Sequence, residues 1–404
     1  MKTPLMPVDE ALSRIIDALE PVSREQVSLT EARGRVLAAD VVARRTQPPF
    51  DASAMDGYAV RAADVTEAPV TLEVVGSAPA GGAYDGIVGP GEAVRIFTGG
   101  PVPAGADSIV LQEDAFAGEG VVTLHEAAEA AEAARHIRKA GLDFRDGDTV
   151  LAAGTRLASR HIGLAAAANV PELSVFRRPQ VAILATGDEL VPPGGDPGPF
   201  QIISSNSLAV TAQVEVAGGV AIDLGIARDD ADSLKAAAKG AYDADLLVTI
   251  GGASVGDHDL IQSVLGEEGL KLDFWRIAMK PGKPLMFGAL RGVPMLGLPG
   301  NPVSALVCGA VFLRPAVRRL GGEARMTNAL SRAQLAEPLP ANKERQDYLR
   351  ARSDYDGAGT RQVTAFPVQD SSMLSTLAKA DCLIVRPPHA PEAAAGDEVL
   401  VLEL

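Results

Sequence analysis

Hydrophobic positions near the amino terminus recur at the spacing of a helical turn. Val8, Ala11, Leu12, Ile15, Ile16 and Leu19 share one face, which predicts an amphipathic helix that Pro21 stops. A second short helix is predicted over 29–39, with Arg33-Gly34-Arg35 as its weak point. From about 46 to 145 the helical period disappears. Short apolar runs at 70–75, 93–97, 108–112 and 120–124 alternate with Gly/Pro clusters at 79–82, 89–91 and 99–105. That pattern predicts a small β domain inserted between helical segments. Helical character returns at 159–168, expected to pack beside the first helices.

Beyond 178 the pattern becomes strand–loop–helix. Apolar runs at 181–185, 220–226 and 246–250 alternate with helical stretches near 205–217 and 230–241, and a long helix is predicted over 301–320. Fully apolar strands separated by helices indicate a parallel sheet covered on both faces. After Gly321-Gly322 only short runs remain, at 333–335, 348–351, 362–365, 382–385 and 398–402, which suggests a β-barrel. The expected fold is thus multidomain α/β. It comprises a helical domain (1–45 with 146–177), an inserted β domain (46–145), a three-layer α/β domain (178–325) and a C-terminal β-barrel domain (326–404).

Composition narrows the functional classes. The 404 residues carry a formal charge of −15, and aromatic residues make up only 4%. A field of that sign repels nucleic acid and anionic membranes, and few rings are available for base stacking. No apolar run approaches the ~20 residues of a membrane span, and 1–10 lack a signal-peptide pattern, so the cytoplasm is the expected compartment. The two cysteines, Cys308 and Cys382, have no metal-ligand spacing, and Cys308 reads as a buried free thiol.

Ligands of open α/β sheets sit outside the carboxyl ends of the strands, so the following loops are the places to look for chemistry. Thr186-Gly187-Asp188-Glu189-Leu190 ends the first strand with adjacent carboxylates. These could bind Mg²⁺, which takes one or two protein carboxylates plus phosphate oxygens, or Asp188 could simply cap a helix. The third strand runs into Gly251-Gly252-Ala253-Ser254-Val255-Gly256-Asp257-His258-Asp259, where glycines permit close backbone approach of an anion.

Charge then reverses. Asp and Glu outnumber Lys and Arg twelve to three over 181–260, whereas Lys271, Arg276, Lys280, Lys283 and Arg291 face only Asp273 over 271–291. Lys280-Pro281-Gly282-Lys283-Pro284 sets two lysines three residues apart on a stiffened loop, suited to an anion or else to a solvated turn. Leu298-Pro299-Gly300-Asn301-Pro302-Val303-Ser304 opens the long helix. Asn301 suits the N-cap and Pro302 the first helical position, and such a terminus suits phosphate or molybdate, although capping alone would explain those residues. In the inserted domain, the loops around Asp56 and Thr98 read locally as ordinary turns.

Taken together these segments resemble the molybdopterin molybdenumtransferases, the family that includes plant molybdenum-insertase E domains and the E domain of gephyrin. The likeness rests on Ser53-Ala54-Met55-Asp56-Gly57-Tyr58-Ala59, the Thr98-Gly99 loop, Ile137-Arg138 through Asp143, Thr186 to Leu190, Asp229-Asp230, Gly251 to Asp259, Lys280 to Pro284, and Pro299 to Ser304. Eight motifs occur in order across about 50–305, and the flanking architecture extends the match over nearly the whole chain.

The resemblance implies an enzyme that takes adenylylated molybdopterin and molybdate, uses Mg²⁺, cleaves the phosphoanhydride, releases AMP and places molybdenum on the dithiolene. It implies a homodimer whose active site is shared between the α/β domain of one subunit and the inserted domain of the other. Further implied partners are the adenylylating enzyme and molybdoenzyme apoproteins. Catalytic roles fall to Asp56, Thr98, Asp143, Glu189, Asp229, Asp259, Lys280 and Lys283, with Glu189 and Asp259 as metal ligands. Substrate contacts fall to Gly251, Gly252, Ser254, Gly256, Arg276, Pro299, Asn301, Pro302, Ser304, Arg350 and Ser371. Two positions depart from the family pattern: Arg276 stands where lysine can occur, and Asp370 where Gly or Arg is expected. A non-catalytic scaffold of the gephyrin type, or a molybdate- or pterin-binding sensor, is the alternative from another class.

Overall fold

A computed structural model describes residues 5–125, 132–252, 260–324 and 328–404. Helix Val8–Asp17 forms as its periodicity predicts, but its partner differs from expectation. Val8, Ala11, Ile15 and Leu19 are buried in the same core as Val317 and Leu320 of helix Arg314–Leu320, at the α/β unit. Helix Ser159–Ala167 belongs to a separate core with Ala32, Leu37, Val41, Leu157 and Leu173.

The helix predicted over 29–39 is absent; that stretch is turns and isolated bridges. Gly34 adopts φ +76°, and its N–H donates to Leu157 O while Leu37 N–H donates to Thr155 O. Non-local pairing thus satisfies the backbone and buries Leu37 without a helical turn. Strands Arg24–Ser28 and Glu172–Phe176 pair antiparallel, as do Val41–Val42 and Thr149–Leu151. The segments before and after the insertion are therefore joined by two short strand pairs beside helix Ser159–Ala167.

Within 46–145, six strands form one sheet in the order Ser108–Leu111, Gly57–Val60, Glu92–Ile96, Val70–Ala78, Val121–Leu124, Ala115–Ala117. Its alternating residues feed two cores.

The α/β unit holds a six-stranded sheet in the order Val220–Ala227, Gln180–Thr186, Leu246–Ile250, Val293–Leu298, Met286–Leu290, Leu270–Trp275. The first four strands are parallel, as expected, and the last two pairings are antiparallel, so Met286–Leu290 runs against the other five strands. The cause of that difference is local. Arg291 and Gly292, both at positive φ, make a two-residue turn between the paired Leu290 and Val293, which forces a hairpin. Separate cores cover the two faces of the sheet. The long helix spans 302–320, with a π-helical stretch Gly309–Leu313 in its middle. Just before that stretch the Gln213 amide donates to Leu306 O at 3.0 Å.

Five strands close the C-terminal barrel: Leu330–Leu335, Gln346–Tyr355, Arg361–Ala365, Cys382–Arg386 and Glu398–Glu403. A sixth strand, Met279–Lys280, comes from the α/β unit and pairs with Gln346 and Asp347 at the barrel's rim. No helix among the described residues is long and apolar enough to cross a membrane.

Candidate active site

The carboxyl ends of three neighbouring parallel strands lie side by side, and each delivers a predicted loop. Gln180–Thr186 ends in the Gly187–Glu189 turn, Leu246–Ile250 in Gly251-Gly252, and Val293–Leu298 in Pro299 to Pro302. Gly251 N–H donates to Leu298 O at 3.1 Å. A Cβ at Gly251 would stand 2.8 Å from Thr186 O, and one at Gly252 only 3.1 Å from Thr186 Oγ1. Close approach, together with φ of +93° and +62°, therefore requires glycine at both places. A cavity of about 90 Å³ lies here, lined by Thr186, Ser204, Asn206, Gly251, Gly300 and Pro302 among others. Ser254, Gly256 and Asp259 lie outside the described residues.

Glu189 is exposed, and its carboxylate folds over Gly187, where a Cβ would come within 2.5 Å of Oε2. Asp188 and Asp229 are tied to each other: Asp229 N–H donates to Asp188 Oδ1 at 3.2 Å, and Asp188 N–H to Asp229 Oδ2 at 3.5 Å. Asp188 caps no helix, so its expected N-cap alternative falls away. Among the described residues no three Asp, Glu, His or Cys side chains converge as a closed metal cage. Mg²⁺ does not need one, because substrate phosphates and waters complete its shell. An exposed hard-oxygen donor at a strand end, as Glu189 provides, fits that ion.

The basic loop packs on the long helix that follows the third of these strands. Lys280 and Lys283 are exposed, and the turn between them rests on the long helix. Gly282 has φ +108°, its carbonyl lies 3.8 Å from Cys308 Sγ, and an added Cβ would collide with that sulfur. Cys308 follows Ser304 by four residues, so both lie on one face of the helix. Burial pushes the Cys308 thiol far up, leaving it inert beneath the loop. Ser304 is 5% exposed, sits in the first turn, and its hydroxyl has no partner among the described residues.

Asn301 occupies the N-cap position, but its side chain makes no capping bond. Instead its amide donates to Ser371 Oγ at 2.9 Å, and Val303 N–H donates to Ser371 O at 3.1 Å. The barrel loop thereby does the capping, and capping alone no longer accounts for Asn301. Arg350 is 1% exposed and faces inward, its guanidinium directed at carbonyls of the loop that carries Ser371. Arg276 sits at φ +81° with its guanidinium stacked 4.0 Å over the Trp275 ring. A larger cavity, about 520 Å³, opens between Lys280 and the barrel and is also lined by Lys343, Arg345, Asp347, Phe366 and Arg386. Partial burial holds the Asp347 carboxyl above the usual range, against the pull of Lys280.

Asp56 and Thr98 form a tight pair in the inserted unit. Thr98 donates its N–H and its hydroxyl to Asp56 Oδ1 at 2.7 and 2.8 Å, and these bonds hold the carboxyl below its usual range. Asp143 is exposed, with its N–H donating to Gln47 O. These hydrogen bonds remain within the segment 47–143.

Comparison with known proteins fits every part of this architecture. Residues 6–169 match the MoeA N-terminal region (domain I and II), 182–319 the probable molybdopterin binding domain, and 332–404 the MoeA C-terminal region (domain IV). Molybdopterin molybdenumtransferase 2 of Mycobacterium tuberculosis is 38% identical over 403 residues, covering 97% of each chain. The chain belongs to the molybdopterin molybdenumtransferase family. A further molybdopterin molybdenumtransferase, from Haemophilus influenzae, is 34% identical with 98% of each chain covered. The crystal structure of a molybdopterin biosynthesis MoeA protein from Pyrococcus horikoshii superposes with a TM-score of 0.85 at 27% identity, covering 99% of this chain and 100% of that one. As a member of this enzyme family the chain acts in molybdenum cofactor biosynthesis on molybdopterin.

Reading the sequence passed over Asn206, and took Cys308 only as a buried thiol rather than as the support of the lysine loop. Asn206 donates to Gly300 O at 2.7 Å and so holds the loop before the long helix. A polar residue opening a helix after an apolar strand was the available signal. Nothing in the local pattern marked the contact of Cys308 with Gly282.

Proposed function

We propose that this enzyme inserts molybdenum from molybdate into molybdopterin supplied in adenylylated form, with Mg²⁺ as cofactor and AMP as product. The observation that carries this reading is that two chain segments pack on one short helical segment, Pro302–Cys308. Ser371 backs onto Asn301 and Val303 at its start, and the lysine loop packs, through Gly282, on Cys308, on the face that also bears Ser304. Ammonium groups, two hydroxyls and a helix N-terminus suit a dianionic tetrahedral oxyanion.

The substrate's phosphates would lie at the strand ends, where Gly251 and Gly252 allow backbone approach and Glu189 supplies a carboxylate. Glu189, with Asp259, would hold Mg²⁺, which supplies charge neutralisation at phosphoryl oxygens. Lys280 and Lys283 would hold molybdate so that its metal faces the dithiolene, and that juxtaposition contributes orientation rather than new chemistry. Removing one such donor typically costs ~10²-fold in rate.

The proposal includes a cytoplasmic homodimer in which Asp56 and Thr98 of one subunit face the strand ends of the other. Its support is that the pair is fully formed yet, among the described residues, makes no hydrogen bond to the α/β unit of its own chain. The test is incubation of purified protein with adenylylated molybdopterin, Mg²⁺ and molybdate, followed by an AMP assay. AMP formation that requires both additions is expected; absence of AMP with intact, folded protein would leave a binding protein rather than this reaction.

A further inference from the structure

Among the described residues Arg350 is the largest of the fully buried side chains, yet none of its hydrogen bonds there goes to a carboxylate. Its Nη1 donates to Asp370 O at 2.8 Å and Met373 O at 3.4 Å, and its Nη2 to Val368 O at 3.4 Å. The neighbouring acid, Asp370, turns away and accepts from Ser372 N–H and Oγ instead. One side chain completes this arrangement. Gln369 Oε1 accepts from Arg350 N–H at 3.0 Å and from Arg350 Nε at 3.1 Å. Gln369 Nε2 donates to Arg350 O at 3.0 Å and to Phe366 O at 2.8 Å. Both lone pairs and both N–H groups of this half-buried amide are thus used between one strand and one loop.

We propose that Gln369 is a positioning residue of the oxyanion site: together with buried Arg350 it fixes the 366–373 loop so that Ser371 sits at the start of the long helix. The chain of contacts is continuous. Gln369 and Arg350 hold the carbonyls of 366, 368, 370 and 373; Ser371, inside that span, accepts from Asn301 Nδ2 through Oγ and from Val303 N–H through its carbonyl. Because Oγ already accepts from Asn301, the hydroxyl proton of Ser371 remains to be donated, and no acceptor for it occurs among the described residues. A loop displaced by a fraction of an ångström would lose that direction while the barrel stayed closed. Arg350 then works through the loop backbone, and its carbonyl-bound cation beneath Ser371 also favours an anion there.

This inference rests on the reading that Ser371 faces molybdate, and the experiment separates the two. Sodium molybdate is titrated calorimetrically into the full-length wild-type protein, Ser371→Ala, Gln369→Glu and the double variant. Gln369→Glu keeps the acceptor for Arg350 but sets a carboxylate oxygen against the Arg350 and Phe366 carbonyls. Roughly tenfold weaker molybdate binding is expected, the scale of one or two hydrogen bonds. Affinity for adenylylated molybdopterin should stay unchanged. In the Ser371→Ala background, Gln369→Glu should add little, since a residue acting through Ser371 cannot lose the same interaction twice. Gln369→Asn keeps the amide, shortens the reach by one methylene, and tests the same point if the glutamate variant does not fold.

Each outcome decides. Weakened binding by Ser371→Ala, with unchanged or fully additive effects at Gln369, overturns the positioning role alone. Unchanged binding by Ser371→Ala overturns both the positioning role and the place of Ser371 in the site.

Discussion

Asn301 donates its side-chain amide to the Ser371 hydroxyl across 2.9 Å, and this bond joins the first turn of an α/β helix to a loop of the C-terminal barrel. The barrel therefore finishes a site that the sheet begins. A second tie points the same way: Met279–Lys280 pairs with Gln346 and Asp347, so the lysine loop leaves directly from the barrel's rim.

Asn301→Asp follows from that geometry. Aspartate has nearly the same size and its charge suits the positive end of the helix, so the helix should keep its stability. The new carboxylate would face Ser371 Oγ and the proposed oxyanion position, and like charge at that range should weaken molybdate binding at least about tenfold. Molybdate titration beside a thermal melt checks both halves.

Lys283→Ala should weaken molybdate binding by roughly ten- to a hundredfold, the range of a charge-assisted hydrogen bond. Lys283 is exposed and carries no buried packing, so the melting temperature should stay within a degree or two of wild type. Unchanged affinity would remove Lys283 from the site.

Much of this site was legible because its parts sit at the ends of apolar strands, where position alone implies function. The runs at 181–185 and 246–250, and the loops that follow them, are where the strands and turns occur. Asn301 shows where reading stopped. Its type signals a helix cap, and only the folded chain reveals that a loop seventy residues away takes over that task. The segment 29–39 failed for a related reason: its apolar residues reach a core through bridges to residues beyond 150, which no local period encodes. Gln369 lay beyond reach because an amide in a loop carries no pattern until its four partners are known.

A verified heterodimer of an Asp56→Asn subunit with a Glu189→Gln subunit should recover one working site, close to half the wild-type AMP release. Each homodimer should be nearly inactive. Inactivity of the heterodimer as well would argue against a site shared between subunits.

Gly282→Ala should destabilise the lysine loop, because its Cβ would collide with Cys308 Sγ and φ is +108°. A loss of about 1–3 kcal/mol is expected, with partial recovery in Gly282→Ala/Cys308→Ala, where the collision is relieved and the backbone strain stays. The thiols offer a companion measurement. Burial raises Cys308 strongly and Cys382 to about 12, so neither should react with a thiol reagent at pH 8 until the protein unfolds. Rapid labelling of Cys308 in native protein would mean that the loop does not rest where Gly282 places it.

Tungstate offers a heavy-atom replacement for molybdate, and anomalous diffraction from a tungstate-soaked crystal locates it directly. One peak is expected within hydrogen-bonding distance of Ser371 Oγ and the Lys283 ammonium, over the first turn of the helix that begins at Pro302. A peak confined to another part of the molecule, with those groups free of lattice contacts, would show that the lysines and the barrel loop meet there for some purpose other than gripping the oxyanion.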